Sequence, residues 1–315
     1  MGVILTNIIA VFIIMGVGFA ANRAGIIKSE ANDYLSPLLI KITAPCMVFS
    51  TIASRQIEEG TLGTVVLGLL FGLGYFAVFY LISWILCAKV MKIPPDEDCG
   101  VYMILFTSIN NGFIGLPITL AIFGEDMMFH MVFFQISLLI YLYGPGVMQV
   151  HYGEKISGGG PLTLIKSILS ISTVAAILGL IVMFSGIGIP EVIFKPIDSI
   201  GDATTPISML IIGVQLGSSN FREIAKNKRL ISLSFIKMIS VPVITFLIVN
   251  WLPVPNALKL VMVFGASFPS AVAATPICAM EGKNSQLAAE GVAFTTLLSL
   301  ATIPITASIV GALYM

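Results

Sequence analysis

Thr107-Ser108-Ile109-Asn110-Asn111-Gly112-Phe113-Ile114-Gly115-Leu116-Pro117 lies in the middle of an apolar run from Gly100 to Phe123. At about 1.5 Å of rise per residue, that run is long enough to cross a bilayer by itself. Two adjacent asparagines, two glycines and a proline do not suit an uninterrupted spanning helix. Pro117 lacks a backbone donor, and its ring meets the carbonyl four residues earlier, at Phe113. Gly112 and Gly115 lower the cost of non-helical backbone. Amide groups freed inside lipid must find partners in protein, water or a ligand. The stretch therefore predicts a helix broken at mid-membrane, the place where secondary transporters build their sites.

Composition sets the class. Of 315 residues, 57% are hydrophobic and 10% are charged, with a mean hydropathy of +1.02. A soluble domain carries about 25% charged residues, so this surface cannot meet water on all sides. An all-α polytopic membrane protein is expected. Sixteen basic residues balance sixteen acidic ones, so net charge is silent about partners. The first span, from Val3, has neither a charged leader nor a small-residue cleavage site and reads as a retained helix. Cys46, Cys87, Cys99 and Cys278 show no metal-ligand or redox spacing and read as small packing residues. No metal or cofactor is expected.

The apolar runs predict ten spans, at about 3–21, 35–53, 61–88, 100–123, 127–150, 163–185, 196–217, 230–251, 257–280 and 287–313. Basic residues orient them. With the N-terminus outside, the inner side holds Arg23, Lys28, Lys89, Lys92, Lys155, Lys166, Arg222, Lys226, Lys228, Arg229 and Lys283. The outer side then holds only Arg55, Lys195 and Lys259, while Lys41 and Lys237 fall within spans. Both termini are expected outside. The loop from His151 to Pro161, with Gly158-Gly159-Gly160, divides the chain into a first repeat (1–150), a cytoplasmic linker (151–162) and a second repeat (163–315).

Five spans per half force the second half into the membrane upside down, as an inverted repeat. Spacing supports a duplication. Pro117 and Pro276 are 159 residues apart, as are Pro145 and Pro304, and Ser108 and Ser267. Pro45 and Pro206 match at 161. The second half has its own interrupted span, Ala266-Ser267-Phe268-Pro269-Ser270 followed by Thr275-Pro276. Broken helices four and nine are expected to cross, bringing Asn110, Asn111, Ser267, Ser270 and Thr275 together among half-helix ends. Helix N-termini carry partial positive charge and free N–H groups, which suits a carboxylate.

Asn110 with Gly115-Leu116-Pro117, Gly213-Val214-Gln215-Leu216, Phe268-Pro269-Ser270, and Thr295-Thr296-Leu297-Leu298-Ser299 followed by Ile303-Pro304-Ile305 resemble the auxin efflux carrier family. That family includes plant PIN proteins and bacterial malate and malonate carriers, and the resemblance covers nearly the whole chain. It implies a homodimer with a scaffold of spans one, two, six and seven. The other six spans would form an elevator-like transport domain. It also implies that Asn110 contacts the carboxylate of an organic anion. The His151–Pro161 loop is far too short for the regulatory segment of the long-loop plant carriers, so regulation by its phosphorylation is not carried over. Ser270 stands where plant members have a larger amide, so indole-acid recognition is not carried over either.

Other residues have both a functional and a bland reading. Asn110, Asn111 and Gly112 form the substrate-binding candidate of the first break, against interhelical polar glue as the alternative. Lys41, four residues before Pro45, is matched by Asp202 at an offset of 161. Lys41 is a candidate for the substrate anion and Asp202 for a coupling proton or sodium, against an ion pair or a snorkelling stem. Glu290 and His130 begin the last span of each half and are further coupling candidates, against ordinary helix-start roles. Gln215 either caps broken backbone or touches substrate. The basic loop Arg222–Arg229 sets topology and meets anionic lipid, and it lacks the interleaved aromatics of a nucleic-acid surface.

A secondary carrier for small mono- or dicarboxylates, such as malate or malonate, is the function expected. A sodium/proton antiporter or an ion channel of related architecture is the alternative. An antiporter wants carboxylates at the crossing, where only Asn, Ser and Thr are found. An intramembrane enzyme is disfavoured because neither HExxH nor GxSxG occurs.

Overall fold

The computed structural model describes residues 2–55, 61–154 and 171–315. The Gly-rich linker, Lys155, Lys166 and the start of the sixth expected span lie outside the described residues. Among those described the chain is helical, with no strand. Among the described residues seven helical segments are long and apolar enough to cross a membrane. They are Thr6–Arg23, Ser29–Ala53, Thr61–Val90, Cys99–Val150, Glu191–Ser218, Lys228–Trp251 and Ser285–Tyr314. Two shorter apolar helices are Ile171–Ser185 and Asn256–Ala266. Cys99–Val150 takes in two expected spans. Gly124, with φ +79°, divides them by a backbone conformation that only glycine adopts at low cost.

The surface is the reverse of a soluble protein's. On the first helix Ile9, Ile13 and Val17 form an exposed stripe, while Ile8, Val11 and Met15 point inward. On Lys228–Trp251 the exposed residues include Phe235, Ile239, Val243 and Leu247. The buried face of that helix carries Ser234, Lys237 and Thr245. Apolar outside with polar inside is the pattern of a helix solvated by lipid. This is a multi-pass membrane protein.

The chain forms two compact units. The first comprises residues 1–68, 112–136 and 168–218. Its closest packing joins the Gly2–Arg23 helix to the Thr204–Ser218 helix. Lipid tails are as apolar as leucine, so such contacts depend on close backbone approach rather than on the hydrophobic effect. A Cβ added at Gly213 would lie 2.1 Å from the Met15 carbonyl oxygen, and one at Gly18 would lie 2.6 Å from that of Leu210. Each helix thus fits a glycine notch in the other. Gly179 repeats the device against Ile52, where the Ala44–Ala53 and Ile171–Ser185 helices meet.

The second unit comprises residues 69–111, 137–167 and 219–315. Its centre is the Cys99–Thr107 helix, every residue of which is buried. The Gln149 amide donates to Ser83 Oγ at 2.9 Å and Thr107 Oγ1 at 3.3 Å, and its oxygen meets the Tyr141 hydroxyl. Just past the short helix Pro145–Val150, His151 binds Glu154 through Nδ1 at 2.8 Å and Glu281 through Nε2 at 2.9 Å. Lys283 also pairs with Glu154.

Two outcomes follow from this packing. Gly213→Ala is expected to lower the thermal unfolding midpoint of the detergent-solubilised protein, by about 1–3 kcal/mol of stability, because the clash is with backbone. Gly16→Ala, with nothing within 4 Å, should leave the midpoint unchanged or slightly raised. The hydrogen bonds to Glu154, then Glu281, raise the His151 pKa above its ordinary value. A raised folded value means the protonated imidazole stabilises the fold fully below about pH 6.5, and that this is lost as pH rises through the higher folded value. Midpoints measured across that window should fall with rising pH, and His151→Gln should flatten that part of the curve.

Candidate functional site

The second unit contains both helix breaks. The Cys99–Thr107 helix ends, and Ser108 is extended, at φ −72° and ψ 149°. A π-helical turn, Asn111–Gly115, leads into the helix Leu116–Tyr143. The break therefore falls nine residues before Pro117. Pro117 sits in the first turn of the following helix, where its missing N–H is no loss. In the other half the Asn256–Ala266 helix stops and Ala274–Met280 resumes, with Pro276 again in a first turn.

Each break satisfies the other. The Asn110 N–H donates to the Pro269 carbonyl at 2.7 Å. These two residues are themselves 159 positions apart, the spacing found between Pro117 and Pro276. The Ala271 N–H donates to Ser108 Oγ at 3.3 Å. Ser270 Oγ donates to the Leu105 carbonyl at 2.6 Å, and the Ser270 N–H donates to Thr295 Oγ1 at 3.1 Å. Thr302 Oγ1 donates to the Ser267 carbonyl at 3.3 Å. Asn110, Asn111, Ser267 and Ser270 are all at most 2% exposed.

Lys237 closes this arrangement. Its side chain is 1% exposed, and its Nζ donates to the Leu105 carbonyl at 2.8 Å, the Ser108 carbonyl, and Ser270 Oγ at 2.9 Å. An ammonium has three N–H donors and no acceptor, so three oxygens use it fully. Leu105 lies in the last turn of its helix and Ser108 just beyond it, where carbonyls lack intrahelical partners and the dipole is negative. None of the ion pairs among the described residues includes Lys237. The groups it meets are all neutral oxygens, and no carboxylate is among them.

The remaining candidates are placed as follows. Thr275 is half-buried and Pro276 exposed, both in the second unit. Glu290 is half-buried there, lining a polar cavity of about 300 Å³ with Asp98, Tyr102, Asn227 and Asn284. The others belong to the first unit. Gly112 and Gln215 are half-buried, Gly115 and Pro117 buried. Lys41 is exposed in a π-helical turn, Leu39–Thr43, and Asp202 is exposed at the end of the Glu191–Asp202 helix. No ion pair among the described residues joins those two. His130 is buried within Leu116–Tyr143, edge-on to Phe129, whose ring carries the Arg55 guanidinium 4.4 Å from its centroid. From the sequence, Lys237 is only a lysine within a span and Thr295 only part of a motif. The signal that marks Lys237 was present: it is the only charge between Leu230 and Trp251, in an apolar run.

The chain matches the model of a family described as membrane transport protein over residues 3–157 and 160–307. It is similar to an uncharacterized transporter of Methanocaldococcus jannaschii, with 24% identity over 94% of this chain and 95% of the relative. A second uncharacterized transporter, from Methanothermobacter thermautotrophicus, is 22% identical over 95% and 96% of the two chains. Backbone breaks that meet inside a bundle, beside a buried ionisable residue, are what a translocating protein needs and an inert bundle does not. The chain belongs to the membrane transport protein family, the auxin efflux carrier-like transporters.

Proposed function

We propose that this protein is a secondary transporter that moves small organic anions, mono- or dicarboxylates such as malate or malonate, across the cytoplasmic membrane. The observation that carries the reading is the buried Lys237 side chain, whose Nζ is surrounded by neutral oxygens at the meeting of the two breaks. A charge held in low dielectric and left uncompensated favours an incoming anion and disfavours a cation. The side chains of Asn110 and Asn111 lie at the first break as neutral hydrogen-bonding groups for a carboxylate, and Ser270 lies at the second. Lys41, Gln215 and Thr275 are further substrate candidates, and Asp202, Glu290 and His130 are the coupling candidates. The protein is a carrier rather than an enzyme.

The chain is read as ten spans in two inverted repeats with both termini outside, working as a homodimer by elevator-like alternating access. Spans one, two, six and seven form the scaffold. In support, the helices Gly2–Arg23, Ala44–Ala53, Ile171–Ser185 and Thr204–Ser218 pack together within the first unit through glycine notches. A membrane potential supplies about 2.3 kcal/mol per charge per 100 mV, enough to drive export of an anion from a cell that is negative inside.

Proteoliposomes containing the purified protein are expected to give a saturable current on addition of malate, malonate or a monocarboxylate. Asn110→Ala should abolish that current. A saturable current surviving in Asn110→Ala would move the site elsewhere. Responses to sodium or pH jumps alone, with none to carboxylates, would replace this reading with an antiporter.

A further inference from the structure

We propose that the three oxygens around Lys237 Nζ form an alkali-cation site that the lysine itself fills, so that the protein carries its cation covalently. The inference deepens the carrier reading above and rests on it for its meaning in transport, but the site stands on geometry alone. The ligands are two main-chain carbonyls at the C-terminal end of a broken half-helix and one hydroxyl from the opposing break: Leu105 O, Ser108 O and Ser270 Oγ. Unwound carbonyls and half-helix C-terminal ends are the groups with which carriers of this general design hold sodium. The Ser270 ligand is itself held in place, because its N–H donates to Thr295 Oγ1 at 3.1 Å.

The position of the lysine fits a substituted ion better than a structural pair. Its stem starts on the Lys228–Trp251 helix, outside both breaks, and its head reaches into the gap between them. It bonds the first break through Leu105 and Ser108 and the second through Ser270. A point charge on a flexible stem is the form of cation that can take a free ion's place. No carboxylate accompanies it among the described ion pairs, as a structural pair would require. The two breaks would otherwise present facing carbonyl and hydroxyl dipoles with nothing positive between them. A bound cation at this point holds the crossing together, and here the cation cannot leave.

The consequence is specific to this chain. Native protein needs no sodium at the crossing, whereas shortening Lys237 leaves a vacated oxygen set that a free ion can enter. The test is the thermal unfolding midpoint of the full-length protein in detergent, in sodium chloride against choline chloride of equal ionic strength. Wild type and Lys237→Arg should be indifferent to the exchange. Lys237→Ala and Lys237→Ser should be destabilised in choline and recover in sodium, by about 5 °C at a 100-fold excess of sodium over its Kd. Adding Ser270→Ala to Lys237→Ala should abolish the recovery, which a loss of packing alone would not predict.

Sodium-insensitive midpoints in Lys237→Ala and Lys237→Ser, or failure of both to fold in either salt, would overturn the proposal. So would a sodium response of the wild type. Carboxylate currents recorded on the same preparations separate the two readings. Wild-type current together with sodium-insensitive variants leaves the carrier intact and removes the cation site. Sodium-rescued variants without any wild-type carboxylate current support the cation site and remove the anion reading.

Discussion

Inside lipid, a backbone amide that leaves its helix has no water to turn to, and an unsatisfied group costs several kcal/mol. The structure of this protein's second unit follows from that constraint. Two helices are interrupted, and each interruption supplies what the other lacks. The Asn110 N–H meets the Pro269 carbonyl, the Ala271 N–H meets Ser108 Oγ, and Ser270 Oγ meets the Leu105 carbonyl. Thr295 and Thr302, from the Ser285–Tyr314 helix, cover the Ser270 N–H and the Ser267 carbonyl. Neither break would be tolerable alone. Their mutual satisfaction permits non-helical backbone among residues that are wholly buried, and so creates a place where polar groups converge within an apolar bundle.

Charge then gives that place a sign. The carbonyls at the end of the Cys99–Thr107 helix carry partial negative charge, and Lys237 Nζ answers them with hydrogen bonds. Burying a lysine head group is costly, and the cost is offset here by hydrogen bonding to neutral oxygens rather than by an opposite charge. Lysine suits this better than arginine, whose planar five-donor fork would leave donors idle among three oxygens. The polar face of the Lys228–Trp251 helix, Ser234, Lys237 and Thr245, turns inward while its aliphatic face turns out, so one helix reconciles lipid with the site.

The first unit solves a different problem. It must hold helices together in a solvent that gives apolar surfaces no reason to associate. Glycine does this by letting backbones touch. Gly18 and Gly213 interlock the first helix with Thr204–Ser218, and Gly179 seats the Ile171–Ser185 helix on Ile52. Contacts of this kind tolerate no added methyl group, because what stands in the way is main chain or a branched buried side chain.

Much of this was legible in the sequence because it follows from local chemistry. Low charge and long apolar runs establish the membrane class. The Asn-Asn-Gly and Phe-Pro-Ser stretches announce non-helical backbone at positions where lipid forbids it unless compensated. Asn110 and Pro269 share the spacing of 159 residues found between Pro117 and Pro276, but their hydrogen bond is visible only in the fold. Tertiary structure decided the rest. Pro117 looks like the breaking residue, yet the break falls at Ser108–Asn110 and the proline begins the next helix. Whether a proline ends one helix or starts another depends on where the preceding carbonyls find partners, and those partners lie more than a hundred residues away. Of two lysines in apolar spans, proline spacing draws attention to Lys41, while the fold exposes Lys41 and buries Lys237. A hydropathy profile records that a charge lies in a span. Only the packing of distant helices determines which way it points and which oxygens it meets.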